Sequence, residues 1–330
     1  MVEMLDIIAV IAGFGLLIWG SDKFVDGAAG MARTLKVSSL IIGLVIVGFG
    51  TSAPEMLVAG VAGLDGNTGL AIGNALGSNI TNIALVLGAT ALLVPLTVHS
   101  KLLKREFPVL FLIMGLVIVL FLDGRLDQID GVILLCGLVA FILWMIHLGK
   151  KSQVNNSHRP HDPMQDEFEE ELPDELPIGK ALMLLALGLI VLLIGAKLVV
   201  WGAINIAQSF GVSDLIIGLT VVAIGTSLPE LATTITSAKK GEHDIAIGNI
   251  IGSNMFNLLG VLGIPGVIHA ASFDGAVMTR DVPVMVILTI ALYLMAKSWK
   301  GKTGKINRFE GGLLLTAYFA YLGSLFVAST

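Results

Sequence analysis

Two glutamates stand in the chain where a plain apolar helix has no use for them. Glu55 lies in GTSAPE and Glu230 in GTSLPE, each directly after a proline and each inside a run of mainly apolar residues. Thr51 and Glu55 are four residues apart and share a helix face, with Ser52 beside them. Thr226, Ser227 and Glu230 repeat that arrangement. Ser78 and Asn82, also four apart, lie in the following apolar run, and Ser253 and Asn257 match them. Pooled, these groups are carboxylates, hydroxyls and amide oxygens. That is a hard-oxygen set, of which calcium takes about six to eight ligands and which sodium also accepts. Zinc or copper would call for His or Cys, which these runs lack. A carboxylate at mid-membrane costs ~2.5–3.5 kcal/mol on insertion scales, and a bound cation offsets that cost. Two negative charges match one divalent ion or two monovalent ones. Singly, each polar group could be helix glue; the coupling of Glu-after-Pro to Ser-x-x-x-Asn, twice over, is what singles them out. For Asn74, Asn79, Asn249 and Asn254, helix packing or support of the site competes with ligation.

The elements that must hold these groups are helices broken at the right depth. Pro54 has no N–H to give the Gly50 carbonyl four residues earlier, and Pro229 does the same to Gly225. The helix should kink there and free carbonyl oxygens, which membrane depth tolerates only beside protein or a polar cavity. The whole passage 38–88 recurs as 213–263, every matched landmark displaced by 175 positions without insertion or deletion. Gly73 and Gly77 form a small-xxx-small pair for close helix approach, and Gly248 and Gly252 repeat it.

Composition sets the surroundings. The chain of 330 residues is 55% hydrophobic and 14% charged, with a mean hydropathy of +0.90. Recurrent apolar runs of about 18 residues or more fit a bilayer core of ~30 Å. The sequence therefore predicts an all-α integral membrane protein. Ten transmembrane helices fit, near 5–30, 38–63, 69–94, 106–122, 130–148, 180–207, 213–238, 245–268, 281–297 and 311–328. They form two five-helix halves, 1–148 and 180–330, joined by an acidic linker at 149–179. Five is odd, so the second half enters from the opposite face, giving the inverted-topology repeats common among secondary transporters. Alternating loops would place sixteen Lys and Arg on one side against only Arg125 and Arg280 on the other. The positive-inside rule then puts the linker in the cytoplasm and both termini outside.

The remaining features read as structural. Early Glu3 and Asp6 make the N-terminus a retained span, not a signal peptide. Cys136, the single cysteine, excludes a disulfide framework and reads as a small buried hydrophobe. Asp22, Lys23 and Lys197 read as snorkelling charges, Asp26 as structural, and Glu106 and Asp281 as helix N-terminal acids. The acidic run of the linker, with His158 and His161, reads as a solvated flexible segment.

At GTSAPE, GTSLPE, GSNITN and GSNMFN the chain resembles the sodium/calcium exchanger family, within the calcium/cation antiporters, and is similar to its two alpha-repeats over essentially its whole length. The resemblance implies alternating-access exchange of calcium against sodium at clustered midplane sites. Its ligands would be Thr51, Ser52, Glu55, Ser78 and Asn82 from the first half, and Thr226, Ser227, Glu230, Ser253 and Asn257 from the second. The carbonyls of Gly48 and Ala223 would join them. Glu55 and Glu230 would be shared, so that the ions compete, and the first and sixth spans would slide across the site bundle. Potassium-dependent members carry an acid at the Asn257 position, so the amide here points to potassium independence. The chain lacks the GNxxE-type motif of the proton-coupled branch, which makes a proton-coupled antiporter the second reading. A cation channel and an intramembrane hydrolase stand further off, the latter for want of a Ser/His pair or two aspartates at depth. No cofactor and no nucleic-acid partner is expected. The partners are the two ions and the lipid bilayer, and the unit is a monomer in the inner membrane.

Overall fold

The computed structural model describes residues 4–98, 100–156, 176–210, 223–297 and 304–329. In chain order the helices are α1 (Met4–Thr34), α2 (Ser39–Thr51), α3 (Ala53–Leu64), α4 (Thr68–Leu93), α5 (Ser100–Leu120) and α6 (Gln128–Asn156). They continue as α7 (Ile178–Ser209), α8 (Ala223–Thr226), α9 (Leu228–Lys239), α10 (His243–Ile268), α11 (Val277–Ala296) and α12 (Arg308–Ser329). Among the described residues, 7 helices are long and apolar enough to cross a bilayer, or 8 with the bent α2–α3 pair taken as one span. The start of the expected seventh span, 213–222, lies outside the described residues, as do His158, His161 and most of the acidic linker. The fifth span runs on as helix to Asn156, beyond its expected end at 148.

The break falls where the prolines require it. α2 and α3 meet at 43°, pivoting on Ser52 at φ −85°, ψ 1°. Ser227, between α8 and α9, has nearly the same backbone at φ −90°, ψ 5°. Each helix restarts on the serine carbonyl, which accepts from Met56 N at 3.2 Å in one case and from Leu231 N at 3.0 Å in the other. Pro54 and Pro229 thus sit in the first turn of the new helix, where a missing N–H costs nothing. A second irregularity was not foreseen. α4 and α10 each widen into a π-helical turn that begins at Asn82 and at Asn257, the two equivalent asparagines.

α10 and α4 occupy the centre. The apolar windows of these helices are 100% and 72% buried, against 28–39% for the other crossing helices. Glycine permits the closest crossing: a Cβ on Gly248 would stand 2.8 Å from Leu40 O, and one on Gly252 would run into the Leu44 carbonyl. The Gly248/Gly252 pair therefore lays α10 directly on α2, as its spacing suggested, whereas a Cβ on Gly73 or Gly77 would meet nothing within 4 Å, so the first-half pair makes no such crossing. α1 and α7 pack along each other through a seam that repeats every seven residues, in which Gly13, Gly20 and Gly27 face Gly195, Gly188 and Ala181. Leu17, Phe24, Leu192 and Val199 belong to an apolar cluster along this pair, separate from the main core.

Two short antiparallel ladders, which nothing in the hydropathy pattern announced, tie the connections together. β1 (Leu96–Val98) follows α4, β2 (Arg125–Leu126) precedes α6, β3 (Ala271–Ser272) follows α10 and β4 (Gly304–Ile306) precedes α12. β1 pairs with β4, and β2 with β3.

Several single-residue expectations need correction. Cys136 is exposed on the outer face of α6 rather than buried; an apolar surface facing lipid accepts a thiol as readily as a core does. Asp22 does not merely reach for an interface, because together with Asp26, structural as expected, it takes the Lys240 ammonium at 2.6 Å and so binds α1 to the end of α9. Lys23 completes this group with Asp22 at 2.9 Å. Glu106 lies inside α5, buried and paired with Arg105. Asp281 lies inside the helical run from Val277, held by Arg280 at 2.8 Å and by the Tyr321 hydroxyl, which donates at 3.0 Å. Both helices start earlier than their apolar runs, since polar residues extend a helix that hydropathy alone truncates.

Candidate functional site

The broken helices and the central pair bring oxygen atoms from both halves into one buried cluster. Thr51, Ser52, Glu55 and Asn82 from the first half and Ser227, Glu230, Ser253 and Asn257 from the second are each at most 1% exposed. The Thr51 hydroxyl lies 3.0 Å from Asn249 Oδ1, 3.1 Å from Val47 O and 3.3 Å from Ser253 Oγ. Ser253 Oγ in turn donates to Gly48 O at 3.4 Å. One hydroxyl proton cannot serve so many acceptors. Ser52 Oγ reaches Glu230 Oε1 at 3.5 Å across the halves.

The remaining oxygens sharpen the imbalance. Glu55 Oε2, Glu230 Oε2, Asn82 Oδ1, Asn257 Oδ1 and Ser227 Oγ are buried with no hydrogen-bond partner. Leaving such groups unpaired away from water is costly, and more so for a carboxylate. The contact of Ser52, three residues before Glu55, with Glu230 sets both carboxyls in the same cluster. Ser78 is buried one turn before Asn82, Thr226 is half-buried beside Ser227, and Ala223 opens the α8 turn. Among the described residues no three His, Cys, Asp or Glu side chains converge. The cluster therefore offers hydroxyl, amide and carbonyl oxygen around just two carboxylates, a donor set suited to hard cations and not to soft ones.

Asn249 emerges as the hub that motif reading left undecided. Its Nδ2 donates to Glu230 O at 3.4 Å and to Thr234 Oγ1 at 2.9 Å, while its Oδ1 faces Thr51. Asn74 does the equivalent for the first half, donating to Glu55 O at 3.3 Å. Each asparagine follows its glutamate by 19 positions, a spacing visible in the sequence once the glutamates are chosen. Asn82 Nδ2 donates to Asn254 Oδ1 at 3.2 Å, joining α4 to α10, whereas Asn79 turns back to Ala75 O. Asn249→Ala should therefore lower the thermal midpoint while the protein still inserts, the lost bonds being worth about 1 kcal/mol each. Thermal unfolding of purified protein reads the effect.

The model of the family described as "Sodium/calcium exchanger protein" matches residues 5–147 and 180–327. The chain belongs to the sodium/calcium exchanger family. Among its relatives, a candidate antiporter, CaxA, of Alkalimonas amylolytica is 48% identical over 319 residues, covering 97% of this chain and 98% of the relative. The sodium/calcium exchanger MaX1 of Methanosarcina acetivorans is 30% identical over 348 residues, covering 96% and 97%. The inner membrane protein YrbG of Escherichia coli is 38% identical over 317 residues, covering 96% and 95%. A solved structure of the sodium-calcium exchanger NCX_Mj, soaked with 10 mM Na+ and 10 mM Sr2+, superposes with a TM-score of 0.82 at 35% identity, covering 98% of this chain and 99% of the other. This family member is thus a multi-span membrane antiporter, and the expectation of an exchanger of prokaryotic type holds.

Proposed function

We propose that this family member exchanges calcium for sodium by alternating access, with the oxygen cluster between Glu55 and Glu230 as the ion site. One observation carries the reading: a buried cluster fed by both halves leaves one oxygen of each glutamate, and the side-chain oxygens of Asn82 and Asn257, with no partner. Cations answer that imbalance, and two carboxylates set the charge to be met. The ligands are Gly48, Thr51, Ser52, Glu55, Ser78, Asn82, Ala223, Thr226, Ser227, Glu230, Ser253 and Asn257, the glycine and alanine through their carbonyls. Because calcium and sodium share the two glutamates, they compete. The sodium and strontium in the NCX_Mj structure support a site for sodium and an alkaline-earth ion. Asn257, neutral where an acid would add charge, favours potassium independence.

The architecture belonging to this reading has ten spans in two inverted halves. Eight are the crossing helices above, the ninth is α9 with the residues before it, and the tenth is α12. Both termini lie outside the cell, the linker lies in the cytoplasm, and a monomer in the inner membrane suffices, without a cofactor. The glycine seam lets α1 and α7 move together as the sliding pair.

The test is uptake of radioactive calcium into proteoliposomes under an outward gradient of sodium, potassium or protons. Uptake with the sodium gradient alone is expected. Uptake driven by protons would keep the site and overturn the coupling, and no uptake under any gradient would overturn the calcium reading.

A further inference from the structure

The two halves are not chemically equal beyond the glutamates. On α9, Thr233, Thr234 and Ser237 follow Glu230 at spacings of three, four and seven, so they continue its face toward the Lys239–Lys240 end. All three are 0% exposed. At the equivalent positions of α3, 175 residues earlier, stand Val58, Ala59 and Ala62. One half thus carries a hydroxyl stripe away from its glutamate, and the other carries methyl groups.

Helix packing alone does not account for the stripe. A hydroxyl inside an apolar helix ordinarily turns back onto the carbonyl four residues earlier. Thr90, Thr279, Thr289 and Thr316 all do so here, at 2.7–3.0 Å. Thr234 instead serves Asn249. Thr233 Oγ1 and Ser237 Oγ have no partner although both are buried, so they forgo the local bond and keep their oxygens free on the face of Glu230. α9 packs against the helix run 82–93 of α4 and against the start of α10, the elements that carry Asn82 and Asn249. The opposite face of α9 meets α1 at the Ser21–Thr236 hydroxyl contact at 2.8 Å and at the Asp22–Lys240 and Asp26–Lys240 pairs, beside a cavity lined also by Leu228, Leu231 and Ile235.

Resting on the ion-site reading above, we propose that Thr233 and Ser237 line a one-sided pathway along which the cation travels between Glu230 and the membrane face bearing Lys240. Ser237 stands about 10 Å beyond Glu230 along the helix, at ~1.5 Å per residue, so the hydroxyls supply successive oxygen ligands as water is left behind. The opposite face has no counterpart on α3, and its approach follows other elements.

The test measures half-saturating calcium separately at each face, in vesicles of defined orientation, for a Thr233→Val/Ser237→Ala double variant. At the Lys240 face the value should rise about tenfold, the scale of one lost ligand contact to a charged group, while at the other face it stays as in the wild type. A Thr233→Ser/Ser237→Thr variant, which keeps both hydroxyls, should restore it. Equal shifts at both faces, or none, would overturn the pathway. Should the double variant fail to fold, Ser237→Cys in a Cys136→Ser background decides. Labelling by a membrane-impermeant thiol reagent from the Lys240 face alone supports the pathway, and any other pattern overturns it. Glu230→Gln separates the two ideas: normal transport by that variant removes the ion site itself, whereas an inactive Glu230→Gln beside an unshifted double variant removes only the pathway.

Discussion

On the proposed ion site, Glu55→Gln and Glu230→Gln should each abolish calcium exchange while raising the stability of the ion-free protein. Each carboxyl is 1% exposed and keeps one oxygen without a partner, so its charge is neither hydrated nor paired within the protein. Gln preserves the shape, removes the charge and replaces an acceptor by a donor. Deleting one member of a buried charge pair costs about 3–5 kcal/mol, so calcium affinity should fall on the order of a hundredfold or more. In the ion-free state the sign reverses, because either substitution removes a buried charge that lacks a full set of partners. Thermal unfolding of purified protein with and without calcium checks both halves of the expectation. Wild type should gain stability as calcium rises, by about 2.7 kcal/mol at a hundred times the dissociation constant. The variants should start higher and gain nothing. A variant that transports normally would remove the glutamates from the site.

The second large effect lies away from any charge. Gly252→Ala should collapse both stability and exchange, although it adds a single methyl group. That methyl would meet the Leu44 carbonyl on α2, and backbone cannot rotate aside as a side chain can. α2 and α10 must then separate, at a cost of about 1–3 kcal/mol or more for overpacking. Separation also pulls Ser253 from Gly48 O and Asn249 from Thr51, contacts that sit at 3.4 and 3.0 Å. Gly115→Ala on α5 is the control, since a Cβ there has nothing within 4 Å. Its exchange rate and thermal midpoint should match the wild type. If Gly252→Ala matches as well, the helices do not cross as tightly as described.

Much of the site was legible because its signals are local and written twice. Proline before glutamate sets the break whatever surrounds it, so the sequence alone located the bends at Ser52 and Ser227 to within two residues. Repetition at 175 positions marked which polar residues belong together. The chemistry followed from residue type, since hydroxyls, amides and two carboxylates admit hard cations whatever their arrangement.

Only the tertiary structure decided how those groups meet. In a soluble helix the apolar stripe tells which face turns inward. In lipid the outward face is as apolar as the core, so the pattern leaves helix rotation open. Cys136 was misplaced for that reason, and Asn249 could not be told from a packing residue. The contacts that define the site join positions far apart in the chain, Thr51 to Asn249 and Ser52 to Glu230. They depend on the glycine crossing of α2 and α10, and Lys240 reaches Asp22 and Asp26 only because α1 lies along α9. The two halves also end unlike in detail, with Ser52 bound to Glu230 and Ser227 Oγ unpaired. A repeat in sequence fixes which groups each half contributes. Packing, which must satisfy both halves in one asymmetric conformation, fixes which of them touch.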